Sequence, residues 1–310
     1  MDLALAIRRA GLADGHLFRP PAFAPSAGPV RAIGPLEPDY PLGLLSLVDP
    51  PRALFVRGST DPVPGPSRCL AIIGARRCTA EGRRVARDLA ACAARAGLVV
   101  VSGLALGVDA AAHEGALDAG GQTLAVLASP VDQPTPLANA GLAREIVETG
   151  GWLASERPPG ASVRARDFPW RNRLVAAIAG AVVVVEAGLR SGTVGTVEWA
   201  LSLGRLVGAV PGSVLSPASA GANRLLRDGA APITCGEDAV GLLSLVVDRR
   251  RIRSDAEDAV WRAVPGADAP IEAWLRGSGL ERDAARAALL TMVARGELVR
   301  RGGRISRCGW

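Results

Sequence analysis

Short apolar runs without polar alternation, separated by stretches of helical period, dominate the middle of the chain. Leu70–Ile73, Leu98–Val101, Thr123–Ala128, Trp152–Ala154, Ala181–Val185 and Leu206–Val210 read as buried strands. Between them, Ala80–Ala96, Val108–Ala119, Leu137–Thr149, Trp170–Ala179 and Val194–Leu203 repeat apolar residues at helical spacing. Strands that are apolar on both faces and joined by helices predict a parallel sheet covered on both sides. Upstream, Ala53–Gly58 reads as a further short strand, and residues 1–35 read as a weakly structured N-terminal extension rich in Pro, Ala and Gly. Downstream the period changes. Ala256–Val264, Ile271–Arg276 and Glu281–Arg295 read as helices, and Glu297–Ile305 as a hairpin turning at Gly302-Gly303. The expected organisation is a Rossmann-like, doubly wound α/β domain with a mostly parallel sheet over residues 36–245. A small C-terminal winged-helix domain is expected over residues 250–310.

The chain has 310 residues, 49% of them hydrophobic and 21% charged, which supports a packed core and argues against wholesale disorder. The formal net charge is +6, and every one of the 36 basic residues is Arg. Guanidinium forks suit phosphates and base edges. An Arg-rich, Lys-free chain is also what a GC-rich coding sequence produces, so the position of each Arg has to carry the argument. The five cysteines form no CxxC pair and there are two histidines, so no metal site is expected and the thiols read as reduced. No apolar run is long enough to span a bilayer and no signal peptide is evident at the N-terminus. A cytoplasmic location follows as an expectation.

The residues with chemistry to offer sit where strands end, which is where doubly wound sheets bind ligands. Gly74 follows a strand, lets the backbone approach a ligand closely, and is followed by Arg76 and a helix start that favours anions. Ser102 and Gly103 occupy the next turn, with Asp109 and His113 one helical turn apart behind them. Arg166, Phe168, Arg171, Asn172 and Arg173 cluster at a helix start, and Phe168, Arg171 and Asn172 share one face by their spacing. Arginines around an aromatic ring are a means of holding single-stranded nucleic acid by phosphate pairing and base stacking. Ser191 and Gly192 follow another strand, after Glu186, and Asn223 with Arg224 follow the last one. Glu186 suits either a catalytic acid or a hydrogen-bond acceptor for loop amides.

The ordered set GARRCT, SGLALGVDAAAH, SERPPG, FPWRNR, EAGLRSG, PGSVLSP and ANRLLRDGA resembles the DNA-processing protein A family, also called DprA or Smf. The resemblance covers about residues 40–230. It implies a non-catalytic protein of natural transformation that binds single-stranded DNA, protects it and helps load the RecA recombinase. It also implies a homodimer formed through the Rossmann-like domain and no cofactor. The family's DNA pocket maps onto Gly74, Arg76, Ser102, Gly103, Arg166, Phe168, Arg171 and Arg173 here. Two departures stand out: Ala75 replaces the family's usual Ser, and ASPVDQPTPLAN keeps Asp132, Pro136 and Asn139 but loses two glycines and a Tyr.

Two other readings stay open on the residues. A phosphoribohydrolase-like nucleotide enzyme is suggested by SGTVGTVE, but Trp199 stands where that motif needs its Glu. A duplex-DNA regulator would use Glu281–Arg295 as its recognition helix.

Overall fold

The computed structural model describes residues 28–37, 39–189, 191–249, 254–263, 269–294, 298–301 and 304–307. A nine-stranded sheet forms the body of the chain. Its strands are β1 (Arg31–Ile33), β2 (Leu54–Gly58), β3 (Cys69–Ile73), β4 (Val99–Ser102), β5 (Thr123–Leu127), β6 (Trp152–Ser155), β7 (Ala181–Val184), β8 (Leu206–Ala209) and β9 (Ala231–Pro232). They lie in the order β1-β2-β6-β5-β4-β3-β7-β8-β9. The seven strands from β6 to β9 are parallel, while β1 and β2 add an antiparallel edge.

The helices are α1 (Ala80–Arg95), α2 (Val108–Asp118), α3 (Ala140–Glu148), α4 (Asp167–Ile178), α5 (Thr193–Ser202), α6 (Ala220–Arg227) and α7 (Gly236–Arg249). Inward residues of β3, such as Cys69, Ala71 and Ile73, pack with Leu174, Ala177 and Ile178 of α4 on one face of the sheet. Leu70 and Ile72 pack with Leu89, Ala90 and Ala93 of α1 on the other. Both faces are covered, so the strands are apolar throughout.

Two sequence expectations change. Residues 31–33, expected within a weakly structured extension, form β1, with Arg31 opposite Val56. A three-residue strand is set by its partner across the sheet rather than by any local period, so the sequence shows little of it. Residues 1–27, the remainder of that extension apart from 28–35, lie outside the described residues, with Pro38. Helix α4 starts at Asp167, three residues before Trp170, because Asp167 accepts the Arg164 backbone N–H at 2.8 Å and pairs with Arg157.

Beyond residue 253 the elements are α8 (Asp255–Ala263), β10 (Ala269–Pro270), α9 (Ile271–Gly277), α10 (Arg282–Ala294), β11 (Leu298–Arg301) and β12 (Arg304–Arg307). Strands β10, β12 and β11 form an antiparallel sheet, and Val260, Trp274, Leu289, Met292 and Ile305 fill a separate small core. Among the described residues this segment holds three helices and a three-stranded sheet. The expected turn at Gly302-Gly303 lies outside the described residues. Among the described residues, no helix is long and apolar enough to cross a membrane.

Candidate nucleic-acid interface

The chain leaves β3 for β4, β5 and β6 on one side of the sheet and reaches β7, β8 and β9 on the other. The crevice at the carboxyl ends of β3 and β7 is the switch point at which such sheets bind ligands. A cavity of about 480 Å³ opens there. Gly74, Arg76, Gly103, Phe168, Arg171, Asn172, Ser191 and Gly192 all line it, joined by Asp109 and Thr196.

Close backbone packing explains the first two glycines. A Cβ on Gly74 would stand 2.7 Å from Val108 Cγ2 and 2.8 Å from the Glu186 carbonyl oxygen. A Cβ on Gly103 would run into the Arg171 guanidinium. Arg171 is buried, donates to the Gly103 carbonyl at 2.7 Å and also to the Val126 carbonyl. It therefore ties α4 to the ends of β4 and β5 and forms the floor of the groove.

Asp109 sits beside it. Its carboxylate accepts the Gly103 N–H at 3.1 Å and the Ala105 N–H at 3.4 Å. Those two bonds bracket Leu104, whose φ of 58° puts a branched side chain in the left-handed region. Burial pushes the Asp109 carboxyl above its usual range, and the Arg171 charge pulls against that. His113 does not meet Asp109. Its Nδ1 lies 2.7 Å from Thr123 Oγ1, and burial drives its pKa down to about 3, so it is a neutral structural residue.

At the rim, Arg76 is exposed and its guanidinium carbon lies 5.5 Å from the centroid of the half-buried Phe168 ring. That is cation–π distance. Asn172 donates to the Gly192 carbonyl at 3.2 Å and so joins α4 to the loop before α5. Glu186 is committed to structure: Thr79 donates to it from its N–H at 2.9 Å and from its hydroxyl at 2.5 Å, which fixes the start of α1. Among the described residues no cluster of His, Cys, Asp and Glu could hold a metal ion.

Other expected groups are engaged within the protein or lie outside the groove lining. The Ser102 hydroxyl is fully buried and donates to the Ile72 carbonyl at 2.7 Å, and the Gly103 amide is already taken by Asp109. Neither is free for a phosphate, because the sheet rim needed its own turn satisfied. Arg173 is buried on the far side of α4, where it bonds both Glu156 oxygens at 2.6 Å and the Asp49 carbonyl at 3.0 Å. Arg166 is exposed but outside the groove lining. Asn223 clasps Gly212 through both its backbone groups, and Arg224 pairs with Asp228 on the surface of α6. Arg190 lies outside the described residues. The sequence reading missed Thr196 and Val175, which also line the groove. Helical spacing carried both signals: Val175 is seven residues after Phe168, and Thr196 three after Thr193.

The family described as DNA recombination-mediator protein A matches residues 31–244. The chain belongs to that family. A putative DNA processing protein DprA of Mycobacterium tuberculosis is 47% identical over 224 residues, covering 69% of this chain and 57% of the relative. The chain thus spans little more than half the length of that relative. The DNA processing protein DprA of Streptococcus pneumoniae is 37% identical over 205 residues, covering 66% of this chain and 71% of the relative. The solved structure of DprA from S. pneumoniae superposes with a TM-score of 0.63 at 36% identity, covering 68% of this chain and 74% of that one. DprA of Helicobacter pylori, whose structure was solved for its single-stranded DNA binding mode, gives 0.62 at 30% identity, covering 71% of this chain and 96% of that one.

Proposed function

We propose that the groove between β3 and β7 holds single-stranded DNA, with Arg76 pairing a phosphate and Phe168 stacking a base. One observation carries this: an exposed arginine stands over a half-buried aromatic ring on the rim of a concave site at the sheet's switch point. Arg171 acts beneath as a tether that shapes the floor. Phosphate neutralisation gives affinity without sequence preference, and stacking tolerates any base. The single-stranded DNA binding mode of the H. pylori relative supports the same reading.

The protein is read as a binder without catalysis, acting in the cytoplasm as a homodimer, protecting incoming DNA during natural transformation and helping to load the RecA recombinase. Glu186 is engaged in capping α1, and Glu198 is exposed on α5 outside the groove lining, so neither is poised as a general acid. The duplex-reading alternative draws less support. Arg282 of α10 pairs with Glu272 at 3.2 Å, and Arg282 and Arg286 line a cavity of about 240 Å³ shared with Pro35, Glu37 and Tyr40.

Titration with single- and double-stranded oligonucleotides over a salt series tests the central reading. If about four phosphates are neutralised, log K falls against log salt with a slope of roughly −3 on a single strand. Equal affinity for duplex would overturn the single-strand reading, and release of free base from nucleoside monophosphates would overturn the non-catalytic one. Mass measurement on the same samples reports the oligomeric state.

A further inference from the structure

The first turn of α4 carries a second aromatic ring that the groove does not use. Trp170 is 46% exposed and is absent from the groove lining. With 3.6 residues per turn, two residues of separation place it about 200° around the helix from Phe168. Its ring lies against the Arg173 guanidinium, whose carbon is 4.5 Å from the ring centroid. Arg173 is 1% exposed and held by Glu156 and Asp49, so it cannot follow a mobile ring. The outcome is an indole braced from beneath by a locked cation, with much of its surface in solvent. Rings held this way lose little freedom when a base stacks on them.

The chain just before the two rings is basic. Arg164 and Arg166 are exposed and immediately precede α4. Asp167 fixes the turn that presents them, by accepting the Arg164 N–H and pairing with Arg157. A helix with its side chains is about 10–12 Å across, a width that about three stacked nucleotides span at ~3.4 Å each.

We propose that Trp170 is a second base-stacking platform, receiving a nucleobase of a single strand that leaves the groove over the first turn of α4 past Arg164 and Arg166. The proposal rests on the single-strand reading of the groove and extends it to the opposite side of the helix. It also gives Arg166, which the groove leaves out, a phosphate to meet.

The test uses the full chain, thymidine oligomers of about four and about twelve nucleotides, spanning the range one single-strand site occupies, and the variants Trp170→Ala, Trp170→Phe and Arg76→Ala. Trp170→Ala is expected to weaken the long oligomer by roughly five- to a hundredfold, as loss of one base stack does. The short oligomer is expected to bind unchanged, and Trp170→Phe to keep most of the long-strand affinity. A long oligomer with abasic positions should no longer distinguish wild type from Trp170→Ala. Long-strand quenching of tryptophan fluorescence should be smaller in Trp170→Phe than in wild type, a readout that survives if Trp170→Ala does not fold. Unchanged long-strand affinity in Trp170→Ala would overturn the proposal. So would an equal loss on short, long and abasic oligomers, which would mean that the ring only supports α4. A change in mass without a change in DNA affinity would assign the ring to a second copy of the chain and overturn it too. Failure of the groove itself reads differently: the short oligomer would not bind wild type, or Arg76→Ala would leave it unaffected.

Discussion

On one side of α4 an exposed arginine leans over a half-buried ring, and on the other an exposed ring leans over a buried arginine. Arg76 and Phe168 form the first pair, Arg173 and Trp170 the second. Each joins an arginine to an aromatic ring of the hexapeptide FPWRNR, yet their parts are exchanged. In the first pair the cation is presented and the ring is the anchor. In the second the cation is the anchor, through Glu156 and Asp49, and the ring is presented. Burial, not residue type, decides which partner is offered to a ligand. An exposed guanidinium keeps its hydration and can exchange it for a phosphate, whereas a buried one is held by the protein acceptors that replaced its water.

The largest expected effect separates the two arginines by stability. Arg173→Ala leaves Glu156 without its partner in a half-buried site and should cost roughly 3 kcal/mol, at the low end for breaking such a pair because Glu156 is 31% exposed. Urea unfolding would measure it. Arg76→Ala should stay within about 0.5 kcal/mol of wild type, yet reduce the magnitude of the single-strand salt slope by about 0.7. The reverse pattern, a stable Arg173→Ala and an unfolded Arg76→Ala, would invert the comparison.

Next in size, Phe168→Ala should weaken short oligomers by about 1–3 kcal/mol if the ring stacks a base. An unchanged short-oligomer affinity would leave Phe168 as an anchor for Arg76 alone.

Acid should then probe the helix behind the groove, since Asp109 lines the groove and His113 is buried one turn further along α2. The His113 pKa is depressed by burial from 6.5 to about 3. Its contribution to stability is therefore full above pH 6.5 and is lost as pH falls from 6.5 toward 3, where the unfolded chain binds a proton that the folded chain refuses. The slope is at most about 1.4 kcal/mol per pH unit for one proton. Asp109, with its carboxyl raised by burial, acts with the opposite sign: its contribution is greatest at low pH and declines as pH rises above the unfolded value. Comparing urea unfolding of wild type and His113→Asn across that window isolates the histidine, and identical pH slopes would show that it titrates normally.

The smallest expected effect is a control. Arg224→Ala removes an exposed pair with Asp228 at 3.5 Å, worth no more than about 0.5 kcal/mol. Single-strand affinity should not change, because Arg224 is outside the groove. Loss of binding would bring the α6 surface back into the site.

The strand ends were legible in the sequence because a buried strand followed by glycine is a local pattern. Gly74, Gly103, Ser191 and Gly192 all reached the groove that way. The spacing of Phe168, Arg171 and Asn172 was equally local, and the three line one cavity. What the sequence left open was the exposure of each arginine. Arg171 and Arg173 look as available as Arg76 and Arg166 when read along the chain. One is tied to Gly103 and Val126 and the other to Glu156 and Asp49, from segments up to 124 residues away. The strand β1 was missed for a related reason, since three residues carry no local period and only pairing with β2 across the sheet makes them a strand.

Apolar runs and their periods determined the doubly wound sheet and the rim on which ligands gather, because backbone pairing and side-chain burial impose those periods wherever they occur. The order of motifs determined the family. The tertiary structure alone decided which guanidinium faces solvent, which carboxylate is occupied by backbone amides, and that Trp170 stands braced outside the groove. Those outcomes depend on distant acceptors meeting a side chain in three dimensions, and a buried polar group takes whichever partner the fold brings to it.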